Sequence, residues 1–171
     1  MLRELASGLP GRQTRTVYRF DTLHELERSM LEGIPMARAM QLHVLEYDGN
    51  RLALAAPLAP NVNDKGCAFG GSLVSLTTLA AWGLVNLKLG EAGAGADVYV
   101  QDSTVEYLAP VWGELVAEAC AGPDESWPEF ITALGDQGSA RIRMSAEVSG
   151  AEGGLVALRF SARFVAKRRK H

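Results

Sequence analysis

The residues best placed to do chemistry fall in one stretch, Pro60-Asn61-Val62-Asn63-Asp64-Lys65-Gly66-Cys67-Ala68-Phe69-Gly70-Gly71-Ser72-Leu73. A strand-like run ends before it, a polar loop follows, and the Gly70-Gly71 pair opens a long apolar segment. Helix N-termini carry unpaired N–H groups and a partial positive charge, and glycine there lets a ligand come close to the backbone. The chemistry that suits such a place is stabilisation of a carbonyl oxygen as it gains negative charge. A glycine-rich turn that only starts a core helix reads the same way, so the spacing alone leaves both readings open. Asp64 is the one carboxylate in the loop, either a general base for water or a turn aspartate. A thiol such as Cys67 can be activated near a helix N-terminus. No histidine stands near it in sequence, and it reads as a small buried residue. Lys65 suits a phosphate or carboxylate, or plain solvent. His24 and His43 fall on the first helix and first strand and read as structural.

The elements that must hold this loop follow from periodicity. Asp21 is placed to cap a helix, and Leu23, Leu26, Met30 and Leu31 recur at helical spacing until Gly33 and Pro35. Runs 40–47 and 51–58 read as strands joined by Asp48-Gly49-Asn50, a hairpin signal. The 22 residues from Gly66 to Leu87 carry no charge. That length suits a membrane span, but Gly70, Gly71, Ser72, Ser75, Thr77, Thr78 and Asn86 make it too polar for one. It reads as a helix buried in a soluble fold, ended by Gly90, Gly93 and Gly95. Ser75 and Thr78 on it can face a pocket or bond their own backbone. Strands are expected at 97–108 and 114–120, a short helix at 126–134, then two alternating strands around Arg141–Val148 and Val156–Phe164. The order indicates an α+β domain, an antiparallel sheet wrapped around the buried helix.

The 171 residues suit one domain, and with 47% apolar and 22% charged residues the chain can bury a real core. Residues 1–20 read as a flexible extension, 21–166 as the domain, and 167–171 as a basic tail. The first twenty residues carry +3, the last nine +5, and the body between them −11. A nucleic-acid binder places its positive charge on the folded face, so this layout argues against one. Two cysteines make neither a disulfide framework nor a zinc site. No secretory signal is evident, and a reducing cytoplasm is the expected compartment.

The element order and the loop together resemble the hotdog fold of acyl-thioester enzymes. Its thioesterase branch carries Asn-x-x-Gly-x-x-His-Gly-Gly leading into the central helix. Asn63, Gly66, Gly70 and Gly71 fall in register with that motif. Thr104–Val111 with Gly113-Glu114-Leu115 is similar to the family's third strand and following turn. The stretch 61–82 resembles, more closely, the branch of the YiiD C-terminal domain, named as a thioesterase. Relatives of that branch are implicated in decarboxylating malonyl on acyl carrier protein. The motif histidine is Phe69 here, and Thr78 stands where many members carry Asp or Glu.

The resemblance implies a substrate that is an acyl thioester of coenzyme A or acyl carrier protein. The coenzyme A or phosphopantetheine then enters as part of the substrate, with no separate cofactor and no metal. It implies Asn63, Asp64 and Gly71 as catalytic: Asn63 and the glycine amides hold the carbonyl while Asp64 activates water. Phe69, Gly70, Ser72, Ser75 and Thr78 are implied as substrate-binding. It also implies a homodimer or dimer of dimers; the charge layout and the polar residues of the uncharged run separately argue against a nucleic-acid partner and a membrane span. Decarboxylation of a malonyl thioester needs no nucleophile and is the alternative. A non-catalytic acyl-binding role is the third.

Overall fold

The structure is a computed structural model, and it describes residues 23–150 and 154–169. The expected extension over residues 1–20 and the Asp21 cap lie outside those residues. Helix α1 (Leu23–Gly33) buries Leu26 and Met30, one turn apart, completely. Pro35 does more than end it. It occupies the first turn of a second helix, α2 (Pro35–Ala39), where its missing N–H costs no hydrogen bond. Met40 caps that helix and Leu42 N–H donates back to Ala37 O at 3.1 Å, so strand β1 starts later than the apolar pattern suggested, at His43.

Strands β1 (His43–Tyr47) and β2 (Arg51–Ala56) pair antiparallel. The Asp48 carboxylate accepts the N–H groups of Asn50 and Arg51 at 2.8 and 2.7 Å, and Gly49 takes the positive φ of +94° that closes the turn. Helix α3 (Gly70–Glu91) follows. It begins four residues into the uncharged run, because residues 66–69 are spent in the loop. It also continues through Gly90, and the chain turns only at Gly93, whose φ is +64°. Leu76, Ala80, Leu84 and Val85 on it are fully buried. By length and composition α3 is apolar enough to cross a bilayer, yet most of it is enclosed by the sheet.

Strands β3 (Ala96–Tyr107) and β4 (Leu115–Ala121) precede helix α4 (Trp127–Gln137), and β5 (Ser139–Ser149) and β6 (Val156–Arg168) complete the fold. The Ser126 hydroxyl caps α4 by accepting Glu129 N–H. All strands join one antiparallel sheet in the order β1-β2-β4-β5-β6-β3, and α3 packs on β2, β3, β4, β5 and β6. This is the α+β hotdog architecture, a sheet wrapped around a central helix.

One boundary differs. Lys167 and Arg168 continue β6 rather than starting a solvated tail: Lys167 sits opposite Asp97 and Ser139, and Arg168 donates to the Leu134 carbonyl at 3.1 Å. The reason is tertiary, since the last strand gains partners on both sides that charge alone does not reveal. The two sheet edges also differ. At β1, the Val44 N–H is taken by the Glu27 carboxylate of α1 at 2.7 Å. At β3, six consecutive residues from Tyr99 to Thr104 are exposed.

Candidate functional site

The loop before α3 is built from its own backbone. Asn61 is 2% exposed; its amide N–H₂ donates to Met40 O at 3.0 Å and Pro57 O at 2.8 Å, which pins the loop's entry to α2. Its main-chain oxygen then accepts Phe69 N–H at 2.7 Å, so entry and exit of the loop are held side by side. Between them Asn63 N–H donates to Cys67 O at 2.7 Å, and Gly66, at φ +87°, donates to Asn63 O at 3.2 Å. The Asn63 side chain closes the same turn. Its oxygen accepts Lys65 N–H at 2.8 Å and its nitrogen donates to Cys67 Sγ at 3.2 Å. Ala68 N–H donates to Val111 O at 2.8 Å and ties the loop to the segment ahead of β4.

Phe69 ends the loop in an extended conformation as the residue before α3, and offers no side-chain cap. Its carbonyl accepts the N–H groups of Ser72 and Leu73 at 2.9 and 3.1 Å. The amides of Gly70 and Gly71 have no acceptor among the described residues. They are the first donors of a 22-residue helix, at its positive end. Two exposed aromatic rings lie beside them, Phe69 and Tyr107, 55% and 61% exposed, and Trp112 lies against Gly66 earlier in the loop. A Cβ on Gly71 would lie 2.9 Å from Phe69 Cζ, and one on Gly70 would lie 3.0 Å from Tyr107 Cε1. A side chain at either position would displace one of these exposed rings.

From this end a half-buried stripe runs along α3 through Gly71, Ser75, Thr78 and Trp82, at spacings of four and three, while most of the rest of the helix is buried. Trp82 Nε1–H donates to Val98 O of β3 at 3.3 Å. On β3 the residues opposite buried partners share the core face: Val98 opposite Ala166, Val100 opposite Phe164, Val105 opposite Phe160, Tyr107 opposite Leu158. Yet Val100 and Tyr107 are about half exposed or more. Helix α3 thus leaves part of its edge strand uncovered, with Val100 and Tyr107 open on the face that the half-buried stripe of α3 adjoins.

The structure brings together Phe69, Gly70 and Gly71 at the helix start, with Ser75 and Thr78 leading away along the stripe and Ser72 half-buried beside it. Asn63 stands one turn of loop away. Asp64 faces solvent: its side chain is 81% exposed and paired to Lys65 Nζ at 2.9 Å. Among the described residues no three His, Cys, Asp or Glu side chains converge as a metal site. Sequence reasoning passed over three residues. Asn61 lay in the same stretch as Asn63, with nothing to distinguish lock from site. Tyr107 and Trp112 looked like ordinary strand and turn aromatics until the strand register placed them around the loop.

A protein-family model described as "Putative thioesterase (yiiD_Cterm)" matches residues 23–168. Among solved structures, a protein of unknown function from Chlorobaculum tepidum is 30% identical, with a TM-score of 0.80 over 85% of this chain and 94% of that one. A "putative thioesterase" from Shewanella oneidensis is 26% identical, with a TM-score of 0.76 over 85% and 96%. A Pseudomonas aeruginosa protein described as "Probable Thioesterase" shares the fold at 20% identity, with a TM-score of 0.74 over 89% and 100%.

Proposed function

Because this chain belongs to the YiiD C-terminal thioesterase family, we propose that it acts on an acyl thioester of coenzyme A or acyl carrier protein. The observation that carries this is the pair of free amides, Gly70 and Gly71, at the start of a long buried helix. A thioester carbonyl set against them gains two donors and the helix dipole as its oxygen becomes negative. Asn63 keeps one amide hydrogen beyond the one given to Cys67, and adds a third donor once the carbonyl lies over the loop. The acyl chain runs along the half-buried stripe of α3, past Ser75 and Thr78 and against β3. In hydrolysis, Asp64 leaves Lys65 and takes a proton from water as the water attacks the carbonyl.

Decarboxylation of a malonyl thioester is the second reading, and the exposure of Asp64 favours it. Phe69 and Thr78 supply neither base nor nucleophile, and losing carbon dioxide needs none. The same amides would hold the enolate. The uncovered β3 edge further supports pairing with a second copy of the chain, as a dimer or dimer of dimers. A monodisperse 18.3 kDa particle in light scattering would count against that pairing.

Incubation with malonyl and simple acyl thioesters, scored separately for free thiol and carbon dioxide, tests the reading. Thiol release supports hydrolysis, and carbon dioxide with the thioester intact supports decarboxylation. Neither product, with an acyl thioester still bound, leaves the non-catalytic role. Asp64→Asn should lower hydrolysis roughly a hundredfold but leave decarboxylation unchanged or slightly faster, because a carboxylate beside the departing one repels it.

A further inference from the structure

We propose that the Tyr107 hydroxyl is a hydrogen-bond donor to the substrate carbonyl, working beside the amides of Gly70 and Gly71. This rests on the acyl-thioester reading above. The phenol oxygen lies 3.5 Å from where a Cβ on Gly70 would stand, and the ring edge lies 3.0 Å from the same point. The hydroxyl therefore stands beside the Cα of Gly70, the residue that carries the first free amide. The Tyr107 hydroxyl has no hydrogen-bond partner among the described residues, and the side chain is open to solvent on the core face of β3. An O–H group in that condition exchanges its water for a ligand oxygen without losing a protein partner.

The ring is held by the sheet rather than by a loop. Tyr107 pairs with Leu158 in the β3–β6 ladder, and immediately after it the N–H groups of Leu108 and Ala109 both donate to Ala157 O, at 2.8 and 3.1 Å. A donor carried on a paired strand keeps its aim better than one on a mobile segment. Its neighbours leave the place to it. Phe69 has no side-chain donor, Asp64 is turned to solvent, and Asn63, whose second amide hydrogen serves the carbonyl from the loop, stands on the side of Gly66 and Cys67 rather than on β3. No bond is made or broken at Tyr107; it gives one hydrogen bond that strengthens as the carbonyl oxygen turns into an oxyanion or enolate.

The test is Tyr107→Phe, which deletes one oxygen and keeps the ring against Gly70. Two readouts are needed: turnover of a thioester that the wild type processes, and calorimetric binding of a ketone analogue of acetyl-coenzyme A with CH₂ in place of the thioester sulfur. Turnover should fall roughly tenfold to a hundredfold, with the melting temperature unchanged. Affinity for the ketone should fall about tenfold, while affinity for coenzyme A itself, which has no acyl carbonyl, stays level. A purely structural role would weaken both ligands alike and refutes the proposal. Unchanged turnover and unchanged ketone binding overturn the role of Tyr107 alone. A wild type that neither processes thioesters nor binds the ketone overturns the acyl reading and this role with it.

Discussion

The two ends of helix α3 treat their polar groups in opposite ways. At the C-terminal end nearly everything has a partner. Glu91 receives the Tyr47 hydroxyl and the Lys88 ammonium, Ala92 N–H donates to Lys88 O, and Ala94 N–H donates to Leu89 O. Close by, Arg169 donates to Asp97 at 2.8 Å with both side chains at least three-quarters buried, and Arg168 covers the carbonyls of Leu134 and Gly135 at the end of α4. At the N-terminal end Gly70 and Gly71 keep two donors free, and the exposed rings of Phe69 and Tyr107 stand beside them. The C-terminal end also has a hollow, a 470 Å³ cavity lined by Ile131, Leu134, Arg168 and neighbours. Its arginines are already committed. What distinguishes a place for chemistry is unspent hydrogen-bonding capacity held in fixed geometry, and volume alone does not supply it.

Substitutions at the two ends should separate activity from stability. The largest expected effect is at Asn63. On the proposed reading, Asn63→Ala removes a carbonyl donor as well as the closure of the loop's turn, and should lower thioester turnover by roughly a hundredfold or more. Cys67→Ala removes only the sulfur that accepts from Asn63 and should cost far less; equal losses in the two variants would reduce Asn63 to a turn residue.

Gly71→Ala comes next. The new methyl meets the Phe69 ring, which must swing across the free amides, so turnover should fall roughly tenfold or more. Melting should barely change, because alanine favours the helix. Gly93→Ala is its mirror at the other end. Its φ of +64° strains any side chain, so unfolding free energy should drop by about 1 kcal/mol with turnover intact. If chemical denaturation and kinetics showed the reverse assignment, the contrast between the two ends would fail.

The smallest effect is a pH response confined to the C-terminal end. Burial, and then the hydrogen bond to the Glu91 carboxylate, raise the Tyr47 phenol far above its ordinary value. A raised folded value contributes stability that is fully present below the unfolded tyrosine value of about 10 and is lost as pH rises beyond it. At Glu91, burial alone would raise the carboxyl, but the hydrogen bonds from Tyr47 and Lys88 outweigh it and hold the group low. Its share is present above the ordinary glutamate range and fades as pH falls through the depressed value. Melting temperatures of Tyr47→Phe should therefore track the wild type less steeply above pH 10. An unaltered alkaline limb would mean that the latch contributes nothing.

Much of this protein was legible in residue order. Alternation in β5 and β6, the Asp48-Gly49-Asn50 turn and the uncharged run of α3 each obey local rules, so periodicity and turn chemistry located them. The errors were at boundaries. Met40–Leu42 had strand-like composition but were taken by the cap of α2, and Lys167 and Arg168 looked like a charged tail until β3 and β5 paired with them. Within the site, the motif spacing placed Gly70 and Gly71 at a helix start, since glycine and helix onset are properties of neighbouring residues. Nothing local indicated that Tyr107, more than thirty residues later, would lie against Gly70, or that Asn61 would hold Phe69 from across the loop. Those contacts depend on strand register and on where α3 crosses the sheet. Sequence fixes the period of a strand and the ends of a helix through short-range sterics and hydrogen bonding. Which distant side chain meets which free amide is decided only when the core closes around the helix.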